Sequence, residues 1–274
     1  MLELPETIVI GTQIAAALTG AEVSRVSPPT KPHKFTWFAG DPKEYDTRLR
    51  GLRVAGGAGV GSYAEILFER GLRLGFSDGA TPHLCESRSC APNDYQLLVE
   101  FADGRALAVT VAMYGGIVLH DESYDNPYYQ KAVHSISPLS DGFASHFCAV
   151  FSNSKSTLSA KAFLATEQRF PGLGNGVLQD ILLNAHVHPK RKIGTLSVEE
   201  QENLLASVIR TLKEMADLGG RDTEKDLFGN PGGYRTMLSK NTLATGCPLC
   251  GGPIVKEAYM GGAVYVCPRC QPLS

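Results

Sequence analysis

At 274 residues the chain has room for two modest domains or one large one. Its 43% hydrophobic and 20% charged residues describe a globular protein, and no apolar run reaches the roughly 18–20 residues that span a bilayer. The net charge of −2 does not mark a nucleic-acid binder, although it divides unevenly: residues 1–150 carry 12 Lys+Arg against 17 Asp+Glu (−5), and residues 151–274 carry 14 against 11 (+3).

The acidic opening, Met1 to Glu6, lacks the basic segment of a signal peptide, so a cytoplasmic address is expected. A helix follows: Pro5 suits the first turn, Ile8, Val9, Ile14 and Leu18 mark an apolar face, and Gly20 is a stop. The glycine-rich run Val54 to Gly61 reads as a flexible stretch or a tight hairpin. No Lys-Ser/Thr follows it, which excludes a nucleotide P-loop. From Tyr63 to His120 the pattern is β, with strands predicted at Leu72 to Phe76, Tyr95 to Phe101, Ala106 to Met113 and Ile117 to His120. Asp103-Gly104 supplies a hairpin turn. Residues 121–138 are polar and turn-rich and read as a linker.

Beyond the linker the period becomes helical. Pro171-Gly-Leu-Gly-Asn175 forms a glycine-rich turn before a helix with Val177, Leu178, Ile181 and Leu182 on one face. Such a turn bares backbone N–H groups to an anion, or is simply a turn and a capped helix. Ser197 to Glu200 is a capping box, and Leu204, Val208, Leu212 and Met215 form a stripe that ends at Gly219-Gly220. Two C-x₂-C pairs close the chain, Cys247/Cys250 and Cys267/Cys270, with sixteen residues between them. Four thiolates at this spacing suit one structural Zn²⁺ rather than a redox motif; a disulfide pair or unrelated thiols are the alternatives.

The turn at Pro171 to Asn175, followed by Ala185-His-Val-His-Pro189 and Leu196-Ser197, resembles the helix–two-turn–helix (H2TH) of the formamidopyrimidine-DNA glycosylase/endonuclease VIII (Fpg/Nei) family. The ending Cys267-Pro-Arg-Cys-Gln271, the opening Glu3-Leu-Pro-Glu6 and Ser137-Pro-Leu-Ser-Asp141 are also similar to that family's, so the likeness runs through the whole chain. It implies an α+β multidomain fold: an N-terminal antiparallel β-sandwich with flanking helices (1–135), a helical H2TH domain (136–240) and a zinc-finger hairpin (241–274). It also implies a monomer that binds damaged double-stranded DNA, associated with the nucleoid if bacterial. Family members flip a damaged base into a pocket to reach its glycosidic carbon. On this chain the resemblance makes Lys161, Gly174 and Asn175 the expected DNA contacts, Phe76 and Tyr114 the expected fillers of the base void, and Glu3 the expected catalytic carboxyl group.

Four positions depart from the family pattern. Leu2 stands where the family has a nucleophilic N-terminal proline, whose amine forms an iminium with the sugar and permits strand cleavage. Ser62 stands for a lysine of a phosphate-contacting hairpin, Gly262 for the arginine of the finger tip, and Ala112 for an arginine beside the void. The expectation is a glycosylase homologue that hydrolyses the N-glycosidic bond with Schiff-base lyase activity impaired. The alternatives are a catalytically inactive damage- or structure-specific DNA binder, and a scaffold for protein or RNA.

Overall fold

The computed structural model describes residues 1–273. Helix α1 (Leu4–Leu18) leads into strands β1 (Val23–Ser27) and β2 (Thr36–Phe38), the short helix α2 (Tyr45–Leu49), and strands β3 (Val54–Val60), β4 (Tyr63–Phe68), β5 (Arg73–Cys85), β6 (Leu97–Phe101) and β7 (Ala106–His120). The seven strands form one hydrogen-bonded sheet in the order β1-β6-β7-β5-β4-β3. All neighbours on that path are antiparallel, and β2 adds to β7 in parallel. The long strands β5 and β7 are shared by both ends of this path, and a bulge between Asp78 and Ala80 shifts their register. The half is therefore α+β and almost wholly antiparallel, as the sequence implies.

The glycine-rich run is not a flexible stretch but one arm of a tight hairpin that turns at Gly61-Ser62. It is β3, and its glycines are what let α1 lie directly on the strand. A Cβ at Gly57 would fall 2.4 Å from the Gly11 carbonyl oxygen, and one at Gly59 would fall 2.5 Å from the Thr7 backbone. Glycine weakens strands in general, but here it permits a close backbone approach. The polar stretch after β7 also holds a helix, α3 (Pro127–His134). Asn126 caps it by accepting from the N–H groups of Tyr128 and Tyr129, and Pro127 takes the first turn.

Helices α4 (Phe143–Ser152), α5 (Ala160–Ala165), α6 (Val177–Asn184) and α7 (Val198–Asp217) follow, then a two-stranded hairpin of β8 (Val255–Tyr259) and β9 (Gly262–Val266). The capping box at Ser197 and Glu200 forms as expected, and the stripe Leu204, Val208, Leu212, Met215 is fully buried. Among the described residues no helix is long and apolar enough to cross a membrane. Two large cores result, one beneath the sheet and one among the helices, and the chain threads each through the other. Leu4 of α1 packs in the helical core, whereas Leu227, in the loop after α7, packs in the sheet core.

Candidate nucleic-acid interface

The turn before α6 is held from the other side of the molecule. Glu3 Oε1 accepts a hydrogen bond from the Gly176 N–H (2.8 Å) and Oε2 one from the Val177 N–H (2.7 Å). A carboxylate thus sits at the positive end of α6. The glycines of the turn make room for it: a Cβ at Gly174 would lie 2.5 Å from the Glu3 carboxylate, and one at Gly176 would lie 1.7 Å from the Arg221 guanidinium. Arg221 Nη1 is 3.6 Å from Glu3 Oε2, while its Nε and Nη2 donate to Glu6 at 2.9 and 2.7 Å. Glu3, Glu6 and Arg221 are all buried. Burial pushes the Glu3 carboxyl above its ordinary value; Arg221 opposes the rise, Glu6 adds to it, and the two N–H donors oppose it.

The first residues are drawn into the same network. The Met1 ammonium pairs with Glu224 (2.5 Å), Arg221 Nη2 donates to the Met1 carbonyl (3.3 Å), and Leu2 N donates to the Asp78 carbonyl (2.6 Å). The Leu2 side chain is buried in the sheet core. No local signal in the sequence points to Arg221 or Glu224, since their partners lie more than 200 positions away.

A second cluster forms where α5, the α6 turn and the hairpin meet. Lys161 Nζ donates to Asn175 Oδ1 (2.8 Å) and to the Tyr259 carbonyl (2.9 Å). Asn175 Nδ2 donates in turn to the Ala263 carbonyl (3.0 Å). Gln179, absent from the sequence expectations, bridges the same groups. Its amide donates to Asn175 O (2.9 Å) and Ala263 O (3.2 Å), and its Oε1 accepts from Tyr265 N (3.0 Å). Lys161 and Asn175 are thus brought together, while Gly174 faces Glu3 instead. Burial holds the Lys161 ammonium below its ordinary pKa. The hairpin tip, with Met260 and Gly261 in left-handed backbone, hangs over this cluster, and Gly262 abuts the Asn175 amide.

The two expected void fillers part company. Phe76 is fully buried beneath the sheet, paired in register with Ala64 and Ile117. Its ring presents no surface, so a void-filling role does not fit its place; strand alternation turns it into the core. Tyr114 is partly exposed and lies parallel to Trp37, with ring centroids 6.3 Å apart.

The four terminal cysteines converge, with all ligand atoms within 4.8 Å of one another. The Cys247–Cys270 and Cys250–Cys267 sulfur separations of 3.8 and 3.5 Å are far too long for a disulfide. They fit a tetrahedral thiolate shell, whose edge is about 3.8 Å for bonds of about 2.3 Å. Gln271 Oε1 accepts the Cys267 N–H (3.1 Å) and the Gly252 N–H points at the Cys250 sulfur (3.4 Å), which orients two of the ligands. The remaining cysteines, Cys85, Cys90 and Cys148, lie outside this cluster.

No family model matches the chain. It is similar along its whole length to curated bacterial proteins named formamidopyrimidine-DNA glycosylase. Identity is 24% to the protein of Cytobacillus firmus, with 99% of this chain and all of that one covered. It is 28% to the protein of Novosphingobium aromaticivorans, with the same coverage. Among solved structures the fold matches Lactococcus lactis Fpg in complex with abasic-site DNA, at a TM-score of 0.81 and 22% identity over 98% of this chain and 99% of that one. It also matches the same protein in complex with Fapy-dG-containing DNA, at a TM-score of 0.82 and 22% identity over 98% and 100%.

Proposed function

The chain belongs to the Fpg/Nei family as a divergent member, and from that premise we infer that it binds damaged duplex DNA. We infer further that it acts as a monomer, turns a base out of the stack and hydrolyses its N-glycosidic bond without Schiff-base lyase chemistry. The observation that carries the DNA reading is the meeting of Lys161, Asn175 and the hairpin tip. Three separate elements meet there: Lys161 and Asn175 are held together by the hairpin's Tyr259 and Ala263 carbonyls, and the Lys161 ammonium, which no carboxylate neutralises, is the charge a phosphate needs. Zn²⁺ is the ion assigned to the four cysteines, where it would brace the hairpin that supplies half of this cluster. A cytoplasmic, DNA-associated address follows from the same reading.

The chemistry is assigned by subtraction. Leu2 replaces the family's proline, its side chain is buried, and the terminal amine is held by Glu224. An ion-paired ammonium is no nucleophile, so an iminium is disfavoured. Glu3 is the carboxyl group assigned to hydrolysis, because its burial raises its affinity for a proton and so suits exchange nearer neutral pH. One observation favours a second reading, a catalytically silent binder: both Glu3 oxygens already accept backbone hydrogen bonds.

The two readings separate in one experiment. The protein is incubated with duplexes holding an oxidised base or an abasic site, with and without borohydride. Base release without strand cleavage and without a trapped adduct, lost in Glu3→Gln, supports hydrolysis. A trapped adduct overturns the loss of Schiff-base chemistry. Lesion-selective binding with no base release supports the silent binder. Binding that ignores salt would count against phosphate contact altogether.

A further inference from the structure

We propose that Asp78 is the general base of the hydrolysis inferred above, and this rests on that hydrolytic reading. A water attacking the sugar must lose a proton as its oxygen bonds to C1′. Glu3 is poorly placed to take it, because both its oxygens accept backbone N–H bonds and the side chain is enclosed. Asp78 has an open oxygen. Its Oδ2 accepts a long hydrogen bond from Ser77 Oγ (3.2 Å), and among the described residues nothing donates to Oδ1.

The backbone fixes the place of this carboxyl group. Alternation along β5 would set Asp78 on the same face as Phe76 and Ala80, both fully buried in the sheet core. Instead Asp78 has left-handed backbone (φ 57°) at the bulge in the β5–β7 pairing, which breaks the alternation and leaves the residue half-buried. Residues other than glycine rarely adopt this conformation, and such positions gather at functional sites. The Asp78 carbonyl accepts the Leu2 N–H (2.6 Å), which ties it to the residue next to Glu3. On the β7 side, Gly79 lets the Tyr114 carbonyl come so near that a Cβ would lie 2.6 Å from it.

The surroundings suit a base. Burial pushes the Asp78 carboxyl above its ordinary value, against the Ser77 hydroxyl and the N-terminal ammonium, and a higher proton affinity makes the ionised form the stronger base. Burial also raises the phenols of Tyr63 and Tyr114; Asp78 adds to both rises and Glu3 adds to that of Tyr114, so the two carboxyl groups share one neighbour. In the step itself the water oxygen bonds to C1′ and its proton passes to Asp78. The C1′–N bond breaks with its electron pair going to the base nitrogen, which takes a proton from Glu3. Both carboxyl groups then exchange with solvent, so the net change is one water added across the bond. Two carboxyl groups divide acid and base work in the same way wherever water displaces a group from a sugar directly.

Single-turnover base release from an oxidised-base duplex tests this with the full-length protein. Asp78→Asn matches the side chain in size and tolerates left-handed backbone, and it should slow release about a hundredfold or more. Lesion-duplex affinity, read by anisotropy, and thermal stability should stay as in the wild type. The variant should also lose the acid limb of the pH–rate profile, where protonation of the base slows the wild-type protein. Asp78→Gly suits the same backbone and opens space. Added azide, which attacks C1′ without giving up a proton, should restore release in that variant and leave an azide on the sugar. Release by Asp78→Asn within about threefold of wild type overturns the proposal and leaves hydrolysis standing. So does a loss of rate matched by a loss of affinity, or the failure of azide to restore Asp78→Gly. If the wild-type protein releases no base, Asp78 and the hydrolytic reading fall together.

Discussion

Arg221 and Lys161 are both buried cations at a boundary between parts of the chain, yet only Arg221 has anions beside it. Arg221 faces Glu3 and Glu6 and is raised above even its ordinary pKa; burial opposes that rise and the two carboxylates drive it. Lys161 is met only by the neutral carbonyl oxygens of Asn175 and Tyr259, and among the described residues no carboxylate pairs with it. The first arrangement is complete and holds α1 to the helical domain. The second is a buried charge that lacks its counter-ion, and such a charge is stabilised by any anion that reaches it. One cation closes a structure, while the other keeps a charge that only neutral oxygens meet.

The sharpest way to break this comparison is to remove the paired cation. Arg221→Met would strand two buried carboxylates, and unfolding free energy should fall by about 3–5 kcal/mol. Urea denaturation measures the loss, and adding Glu3→Gln and Glu6→Gln to the same chain should restore part of it. If Arg221→Met costs less than about 1 kcal/mol, the network does not hold the domains as described.

Metal removal comes next. Stripping the cysteine cluster with a chelator should melt the β8–β9 hairpin and take away the Tyr259 and Ala263 carbonyls that position Lys161 and Asn175. DNA affinity should drop on the order of a hundredfold, about 2.7 kcal/mol, while far-ultraviolet dichroism of the sheet and helices is retained. Lys161→Met is the milder probe. It should weaken duplex binding about tenfold and reduce the salt slope by about one, with thermal stability unchanged or slightly raised because an uncompensated buried charge is gone. A stability loss as large as that of Arg221→Met would erase the distinction between the two cations.

What the sequence revealed was local. The cysteine spacing and the capping box at Ser197 are short-range patterns that reappear in the fold, and the α1 face does so in part: Ile14 and Leu18 are buried, while Ile8 and Val9 stay partly exposed and Ile10 takes a core place. The family resemblance supplied the architecture and brought Lys161 and Asn175 into one expected site. Long-range contacts stayed hidden: nothing near Arg221 announces Glu6, 215 positions away. For the β3 glycines the choice between a flexible stretch and a hairpin stayed open because strand propensity speaks against glycine, and only the α1 backbone lying on them explains the strand. Phe76 was misplaced because alternation sets two faces without saying which is core. Asn126-Pro127 was legible as a cap and first helical residue, and α3 could have been found from it.

A smaller effect separates the completed structure from the open site by pH. Asp180, on α6, is buried and accepts from the N–H groups of Met237 (2.9 Å) and Leu238 (2.8 Å). Burial nevertheless pushes its carboxyl up to about 6, against those donors and Tyr234. A folded carboxyl that holds its proton more tightly than the unfolded one favours the folded state as protons are supplied. Between pH 7 and pH 5 the folded chain takes up this proton, whereas the unfolded chain, with an ordinary value of about 3.9, does not. This group alone should therefore add about 1 kcal/mol of stability on acidification, opposite in sign to a salt-bridged carboxylate. Urea midpoints at the two pH values measure it, with Asp180→Asn as reference, because the amide cannot titrate. An equal pH response in the variant would assign the effect elsewhere, with Glu3 the next group to test, since burial raises its pKa in the same direction.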